Sequence, residues 1–289
     1  MLALALAERF GARIVSADSR QIYRGFDIGT AKPTAEERMR VPHTGIDVAE
    51  PTERYSAAAW AESAERWLAE SAAEGATPVV VGGTGFYVRA LTAPLFEEPM
   101  LAAPKRRALA EELGTLPTAE LRRWCERLDP ARAHLGRVQL LRALEVALLS
   151  GVPISAWHAR TARSPRVSAR YLLVDPGAVL HARIADRVSA MFAAGWSDEV
   201  AALAARLPDD APAWNATGYA TVREYVRGRI SRTAAIEHVT TRTRQYAKRQ
   251  RTWFRHQLPG ARVTVLDPMS SDASRLAAAW WNASDEARR

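Results

Sequence analysis

The chain has 289 residues, of which 48% are hydrophobic and 25% are charged, and this composition is typical of a folded globular protein. The length allows one large domain or two smaller ones, each with its own core. No apolar run approaches the roughly 18 residues that a membrane-spanning helix needs. The single cysteine, Cys125, excludes an intrachain disulfide, fits a reducing cytoplasm and is expected to be buried.

Positive charge is concentrated in one part of the chain. The net charge is +8, and residues 221–260 contain ten Arg or Lys and two Glu, which account for all of it. A basic segment of this kind indicates an anionic partner such as a nucleic acid.

The first hundred residues predict alternating helices and strands: helix 1–10, strand 14–16, helix 54–74 and strand 78–81. Ser56 is the expected N-cap of the second helix, and a Gly-Gly-Thr turn at 82–84 follows the second strand. This alternation with short links is typical of a parallel sheet flanked by helices. Ligands of such sheets gather at the carboxyl ends of the strands, where Asp18 and Thr84 lie.

The middle of the chain predicts a separate helical part. In residues 97–164, prolines punctuate arginine-rich helical segments, and residues 140–149 form a strong helix. We interpret 97–164 as an inserted helical domain, and 1–96 with 165–289 as the α/β core. The second half of that core predicts strand 171–174, helices 178–206, 217–228 and 231–257, strand 263–266, and a helix around Trp280 and Trp281.

Asp18 is the first candidate for chemistry. A carboxylate held rigidly at the end of a buried strand can accept a proton from an amine or a hydroxyl of a substrate. The alternative is that Asp18 only caps the following turn. The pattern alone leaves both interpretations open.

Seven motifs, in order along essentially the whole chain, are similar to the signature of the tRNA dimethylallyltransferases, also called tRNA isopentenyltransferases or IPP transferases. They are S-A-D-S-R-Q-I-Y at 16–23, G-F-D-I-G-T-A-K-P at 25–33, Y-S-A at 55–57, V-G-G-T-G-F-Y at 81–87, R-A-L-E-V at 142–146, G-Y at 218–219 and K-R-Q-R-T-W-F-R at 248–255. The resemblance implies a P-loop-kinase-like α/β fold with a parallel sheet, an inserted helical domain and a helical carboxyl-terminal part.

The resemblance also implies a reaction. A dimethylallyl group passes from dimethylallyl diphosphate to N6 of adenosine-37 in tRNAs that read codons beginning with U, and Mg²⁺ is expected to bridge the diphosphate. Asp18 matches the catalytic base, and Thr84 would face the adenine or the diphosphate. The base would be flipped out of its stack. We expect a monomeric, cytoplasmic enzyme without a membrane partner.

Contacts with the tRNA anticodon arm follow from the same match. The basic segment carries arginines that can bind phosphate and aromatic rings that can stack on unpaired bases. The alternative is a solvated basic helix whose aromatic rings, Phe254 above all, lie in the core. The implied tRNA-binding residues are Asp18, Ser19, Arg20, Gln21, Arg107, Val138, Gln139, Leu140, Leu141, Arg142, Asn215, Gly218, Tyr219, Lys248, Arg249, Gln250, Arg251, Thr252, Trp253, Phe254 and Arg255.

One departure from the family concerns the diphosphate. The family's phosphate loop, G-P-T-x-x-G-K-[ST], cradles it with backbone N–H groups, a lysine and a hydroxyl. The chain contains no Gly-Lys dipeptide, and Lys32, in a Thr-Ala-Lys-Pro turn, is a poor substitute. The loop is expected before the opening helix. We therefore interpret the chain as truncated, favour a miscalled start codon over a genuinely truncated product, and expect the 289 residues to be inactive and poorly stable.

A second departure lies around the Gly-Tyr pair at 218–219. Many members carry Arg or Gln where this chain has Asn215, and Arg or Lys where it has Ala220. A positive charge is therefore missing there. The candidates to replace it are Arg142, Arg223 and Arg227. The cysteine–histidine set of a zinc finger is also absent, so no metal-binding residues are predicted.

Three other functions remain open. A prenyltransferase or kinase acting on a free nucleotide would not need the basic helix. A non-catalytic tRNA-binding remnant is consistent with the missing phosphate loop. DNA binding is the weakest alternative, because no recognition-helix motif is visible.

Overall fold

The computed structural model describes residues 2–93, 99, 101–160 and 166–286. It divides into two compact units. Unit 1 comprises Met1–Leu91 and Ser168–Arg289, and unit 2 comprises Thr92–Val167. We propose that unit 2 is the inserted helical domain predicted at 97–164. Within the described ranges, no helix is long and apolar enough to cross a membrane.

The amino-terminal part of unit 1 alternates helices with short strands, as predicted. Its elements are α1 Leu2–Phe10, β1 Arg13–Ser16, α2 Ala35–Arg40, β2 His43–Thr44, α3 Ala57–Ala73, β3 Pro78–Val81 and α4 Gly85–Thr92. Ser56 is the N-cap of α3, since its side chain accepts a hydrogen bond from the backbone N–H of Ala59.

Unit 2 is helical where it is described. Its helices are α5 Ala103–Thr115, α6 Thr118–Leu128, α7 Arg137–Ser150 and α8 Ile154–Arg160. They surround a core that includes the fully buried side chains of Leu121, Cys125, Leu140 and Leu144. The expectation that Cys125 is a buried, unpaired thiol is confirmed.

The carboxyl-terminal part of unit 1 begins with a strand and is then mostly helical. Its elements are β4 Tyr171–Val174, α9 Leu180–Ala193, α10 Trp196–Ala204, α11 Tyr219–Val226, α12 Arg232–Gln257, β5 Val263–Leu266 and α13 Ala273–Glu286. The single helix predicted at 178–206 is wrong, because the chain breaks it at Gly195, which has φ 91°.

All described strand pairs are parallel, which confirms the predicted α/β class. They form two sheets, one of three strands in the order β2-β1-β3 and one of two strands, β4-β5. In the first sheet, Ile14 lies opposite His43 on one side and Val79 on the other. The carboxyl ends of β1 and β3 therefore lie side by side, and the segments that follow them meet.

Helices α1 and α13 cover this sheet on one face. The rings of Phe10 and Trp281 stack with centroids 5.1 Å apart, and buried Ala7, Ile14 and Val41 complete that cluster. Burial of such apolar surface contributes about 25 cal/mol per Å². The core thereby fixes β1, which positions Asp18.

Candidate active site

Asp18 lies two residues beyond β1, in a turn that it caps. Its Oδ1 accepts a hydrogen bond from the backbone N–H of Arg20 at 2.8 Å. Burial raises the pKa of the carboxyl, while backbone hydrogen bonds from Arg20 and Gln21 and the charges of Arg20 and Arg187 act in the opposite direction. The two interpretations of Asp18 are thus compatible, because the cap holds a carboxylate whose raised pKa makes it a stronger base.

Thr84 joins the β3–α4 turn to the turn after β1. Its Oγ1 accepts a hydrogen bond from the backbone N–H of Ser19 at 2.9 Å and donates one to the Ser19 hydroxyl at 3.2 Å. The backbone N–H of Thr84 also donates to the carbonyl of Ala17 at 3.1 Å. The two predicted catalytic residues, Asp18 and Thr84, therefore belong to one hydrogen-bonded centre.

The glycines around Thr84 permit close approach of other chain segments. A Cβ on Gly82 would lie 2.2 Å from the carbonyl oxygen of Ala17, and a Cβ on Gly85 would lie 2.2 Å from the ring of Trp253. Real Cβ atoms do not come this close to other atoms, so these positions require glycine. Close packing against Ala17 and Trp253 is thus one reason why the G-G-T-G motif contains glycines.

Helix α12 reaches this centre with one face, which we call the inner face: Tyr246, Gln250 and Trp253. Gln250 Nε2 donates a hydrogen bond to the carbonyl of Gly83 at 2.8 Å. The hydroxyl of Tyr246 is hydrogen-bonded with the side chains of Thr84 and Gln250, and burial raises its pKa. Tyr246 therefore stays a neutral hydrogen-bonding group beside Asp18.

Arg187 on α9 is a functional candidate that sequence reasoning missed. Its charge lowers the pKa of Asp18, and the Asp18 carboxylate in turn raises that of Arg187, although burial lowers it overall. Part of the Arg187 side chain nevertheless remains open to solvent. No motif marks Arg187, which is one of two arginines on the amphipathic helix α9.

Lys32 has a structural role, as its turn position predicted. Its buried Nζ donates hydrogen bonds to the carbonyl of Tyr23 at 2.5 Å, to Asp27 Oδ1 at 2.6 Å and to Asp47 Oδ1 at 2.5 Å. These three acceptors use the three donors of an ammonium group. Lys32 has no donor left for a phosphate.

Two residues that were predicted to contact tRNA have side chains that are fully buried within the protein. Tyr219 is fully buried, with its hydroxyl donating to Glu199 Oε1 at 2.6 Å and accepting from the backbone N–H of Gly29 at 3.1 Å. Leu140 is fully buried in the core of unit 2. The sequence alone does not distinguish a motif residue that packs in the core from one that binds a substrate.

Gln21, another predicted tRNA contact, also forms side-chain hydrogen bonds within the protein. Its Nε2 donates hydrogen bonds to the carbonyls of Thr30 and Ala31 at 3.3 and 3.1 Å, and its Oε1 accepts one from the Ser16 hydroxyl at 3.0 Å. These bonds tie the Gly-Thr-Ala-Lys-Pro loop to the end of β1.

Other predicted contacts on α12 form an exposed basic surface. We define its outer basic face as the exposed side chains of Arg242, Lys248, Arg249 and Arg255. The predicted contact Thr252 is exposed among them, whereas Arg251 pairs with Asp175 Oδ2 at 3.0 Å. Trp253 and Phe254 are half-buried and contact each other edge to face at 5.1 Å. The expected core placement of Phe254 is thus partly met, and Trp253 packs on Gly85.

The remaining predicted contacts belong to unit 2 and to the segment around the start of α11. In unit 2, Arg107, Val138 and Gln139 are exposed, and Leu141 and Arg142 are half-buried. Arg142 pairs with Glu145 at 3.0 Å. In unit 1, Asn215 is exposed and Gly218, with φ 94°, starts α11.

The described residues do not build a dedicated magnesium site. They contain no group of three or more His, Cys, Asp or Glu side chains that could hold a metal ion. Around Asp18 the protein oxygens are one carboxylate and the hydroxyls of Ser19 and Thr84. Mg²⁺ bound to phosphates needs only one or two protein carboxylates, so this donor set suits an ion carried mainly by a diphosphate.

Comparisons with known proteins agree with the resemblance in the motifs. The family model described as IPP transferase matches residues 21–257. A protein named tRNA dimethylallyltransferase from Anaeromyxobacter sp. (strain K) is 44% identical over 261 residues, which cover 89% of this chain and 86% of the relative. Another of that name, from Halorhodospira halophila, is 42% identical over 283 residues, covering 93% and 90%.

Solved structures give the same result. The tRNA isopentenylpyrophosphate transferase from Bacillus halodurans is 31% identical with a TM-score of 0.67, covering 99% of this chain and 94% of that one. A eukaryotic dimethylallyltransferase that acts on tRNA is 22% identical with a TM-score of 0.81, covering 100% and 76%, and therefore supports the fold alone. The chain belongs to the IPP transferase family.

Proposed function

We propose that this protein transfers a dimethylallyl group from dimethylallyl diphosphate to N6 of adenosine-37 in tRNAs that read codons beginning with U. The observation that carries the proposal is the position of Asp18, a half-buried carboxylate of raised pKa beside the Ser19–Thr84–Tyr246 hydrogen-bond network. The names of relatives at 44% and 42% identity support it. It would act as a cytoplasmic enzyme.

Asp18 is the proposed general base. As N6 of the flipped-out adenine attacks the first carbon of the dimethylallyl group, the bond from that carbon to oxygen breaks and diphosphate leaves. The carboxylate of Asp18 takes the proton that N6 loses. Positioned general bases contribute about 10²–10⁴-fold to such rates.

Thr84 and Tyr246 are proposed to position the reactants. Both hydroxyls are fixed by hydrogen bonds to neighbours, Thr84 to Ser19 and Tyr246 to Thr84 and Gln250. Groups that are oriented in advance need no reorganisation during reaction. Arg187, whose charge acts on Asp18, is the proposed cation for the leaving diphosphate.

Mg²⁺, when bound, would neutralise charge on the diphosphate. Asp18, Ser19 and Thr84 are the residues that would hold the ion. No step above depends on the ion.

The outer basic face of α12 is proposed to hold the anticodon arm. Each of its arginines can bind a phosphate bidentately and its lysine acts as a point charge. The exposed residues of unit 2 at 107, 138 and 139 remain predicted tRNA contacts.

The test is prenylation of an unmodified tRNA by nucleoside mass spectrometry, with dimethylallyl diphosphate and Mg²⁺. Matched substrates are the same tRNA with G at position 37, and AMP. The 289-residue chain is run beside a version lengthened through the upstream reading frame. We expect prenyl-adenosine only from the lengthened version, and only with the tRNA that carries A37. Prenylation of AMP would favour the free-nucleotide enzyme, and tight tRNA binding without turnover in either version would favour the non-catalytic remnant.

A further inference from the structure

A pocket of about 240 Å³ lies in unit 1 between the start of α11 and helix α12. Asn215, Gly218 and Ala220 contribute to one wall. Arg242, Gln245 and Arg249 form the wall on α12. It does not include Asp18 or Thr84.

The lining of this pocket has the chemistry of an anion site. The guanidinium groups of Arg242 and Arg249 and the amides of Asn215 and Gln245 line the pocket, and no acidic residue lines the space. All four of these side chains are exposed. An open, positively charged pocket with several N–H donors suits a phosphate that projects from a larger molecule.

Arg242 and Arg249 can offer their charges to such a ligand, although Arg249 also lies over the ring of Tyr246. Two nearby arginines instead bind Asp209. Arg223 lies over the ring of Trp214 at 4.6 Å, and its side chain donates to the carbonyl of Asp209. Arg227 pairs with the carboxylate of Asp209 at 2.5 Å. Among the residues that the structure describes, no ion pair involves Arg242 or Arg249.

The arginine that supplies the positive charge missing near residues 218–219 is therefore not one of those that the sequence suggested. Arg223 and Arg227 were candidates to supply the positive charge missing near the 218–219 pair, but both serve Asp209. Arg242, which no motif marks, lines the same pocket as Asn215 and Ala220.

One lining residue of the pocket, Arg249, also lies near a residue of the reaction centre. The guanidinium of Arg249 lies 5.8 Å from the centroid of the Tyr246 ring, and the Tyr246 hydroxyl is hydrogen-bonded with Thr84. Arg249 belongs to the outer basic face as well. A nucleic-acid strand that delivers one base to Asp18 would carry its neighbouring phosphates along this path.

We propose that this pocket binds a backbone phosphate of the RNA substrate and that Arg242 is its main determinant. Arg242 is a binding residue here, since it contacts no reacting atom. The inference rests on the proposed function, because it takes RNA as the substrate.

The test measures binding of a fluorescein-labelled anticodon stem-loop by anisotropy across a range of salt concentrations. Arg242→Ala is expected to weaken binding about two- to fivefold, as for an exposed ion pair. It should also reduce the slope of log K against log salt by about 1, the change expected for one lost phosphate contact. Arg242→Lys is expected to keep most of the slope.

Arg275→Ala is the matched control. It removes one exposed arginine of unit 1 that pairs with Asp272, away from the pocket lining, and is expected to leave the slope unchanged. Unfolding temperatures of both variants check that they are folded.

Two further measurements separate the alternatives. If Arg242→Ala leaves the slope unchanged but weakens binding of inorganic diphosphate, the pocket holds the donor's diphosphate and the RNA assignment is overturned. Identical behaviour of Arg242→Ala and Arg275→Ala also overturns it. If the parent chain fails to bind the stem-loop, the proposed function falls with it, so the two failures are distinguishable.

Discussion

The two faces of helix α12 differ in burial and in charge. The inner face, Tyr246, Gln250 and Trp253, is half-buried and packs against glycines of the β3–α4 turn. The outer basic face is exposed. One helix thus fixes the geometry of the reaction centre by close packing and attracts an anion by charge. Changes on the inner side should alter rate or stability, and changes on the outer side should alter affinity and its salt dependence.

The largest expected effect is that of Asp18→Asn. The amide has almost the shape of the carboxylate but cannot accept the proton, so kcat should fall by about 10²–10⁴-fold. Affinity for RNA should change little, because Asp18 would contact a single base, whereas the outer basic face is proposed to supply the phosphate contacts. Rapid-quench single-turnover kinetics and anisotropy on the same preparations measure the two quantities. A variant that keeps its rate would remove Asp18 from the chemistry.

Gly85→Ala tests the close packing of the inner face. The new Cβ would lie 2.2 Å from the ring of Trp253, and such overpacking costs about 1–3 kcal/mol. For a chain of this size we expect the unfolding temperature to fall by about 2–12 °C. Calorimetry measures the shift.

Gly114→Ala in α5 is the matched control for that substitution. No heavy atom lies within 4 Å of the added Cβ, and replacing a glycine inside a helix by alanine stabilises by about 0.5–1 kcal/mol. Equal destabilisation by both changes would show that the contact with Trp253 is unimportant.

Lys248→Ala should have a smaller effect, confined to binding. Loss of one exposed cation should weaken stem-loop binding by no more than about fivefold and lower the salt slope by about 1. At saturating RNA, the single-turnover rate should not change. A lower rate at saturation would mean that the outer basic face also takes part in the reaction.

The pH dependence should show the smallest and most specific effect. Because burial raises the pKa of Asp18, its ionised fraction should fall at a higher pH than that of an ordinary aspartate near 3.9. The rate should therefore decline as pH drops through this raised value. A pH–rate profile of the parent protein shows the acidic limb, and an apparent pKa at or below the ordinary value would be inconsistent with a buried base.

The same shift has a consequence for stability. A carboxyl whose pKa is higher in the folded state contributes stability below its unfolded pKa and loses it as pH rises through its folded pKa. Asp18→Asn should therefore be at least as stable as the parent at neutral pH. Denaturant unfolding at neutral and at acidic pH measures this difference.

The sequence predicted those parts of the site whose signal is local. Asp18 and Thr84 follow short apolar strands, and the parallel pairing of β1 with β3 brings them together. Tyr246 and Arg187 were not predicted as parts of the centre, because their contacts join distant parts of the chain. The contact of Gln250 with Gly83, for example, spans 167 residues.

The folded structure also distinguishes motif residues that are bonded within the protein from motif residues of the reaction centre, which the sequence could not do. Tyr219 and Gln21 belong to motifs as clearly as Asp18 does, yet their polar atoms are bonded within the protein. Lys32 was predicted to be a poor substitute for a phosphate-loop lysine, and its three acceptors within the protein agree with that prediction. Burial and hydrogen-bond partners are properties of the folded chain, and a single sequence does not specify them.

The most direct test of the central claim compares Asp18→Asn and Lys248→Ala with the parent in one experiment, with all three proteins made in the version lengthened through the upstream reading frame. Each protein is titrated with an unmodified anticodon stem-loop, and the yield of prenyl-adenosine in one turnover is measured beside the dissociation constant. The predicted result is a loss of product with unchanged affinity for Asp18→Asn, and reduced affinity with full product at saturation for Lys248→Ala. If rate and affinity instead fall together in both variants, the division of labour between the two faces of α12 is contradicted.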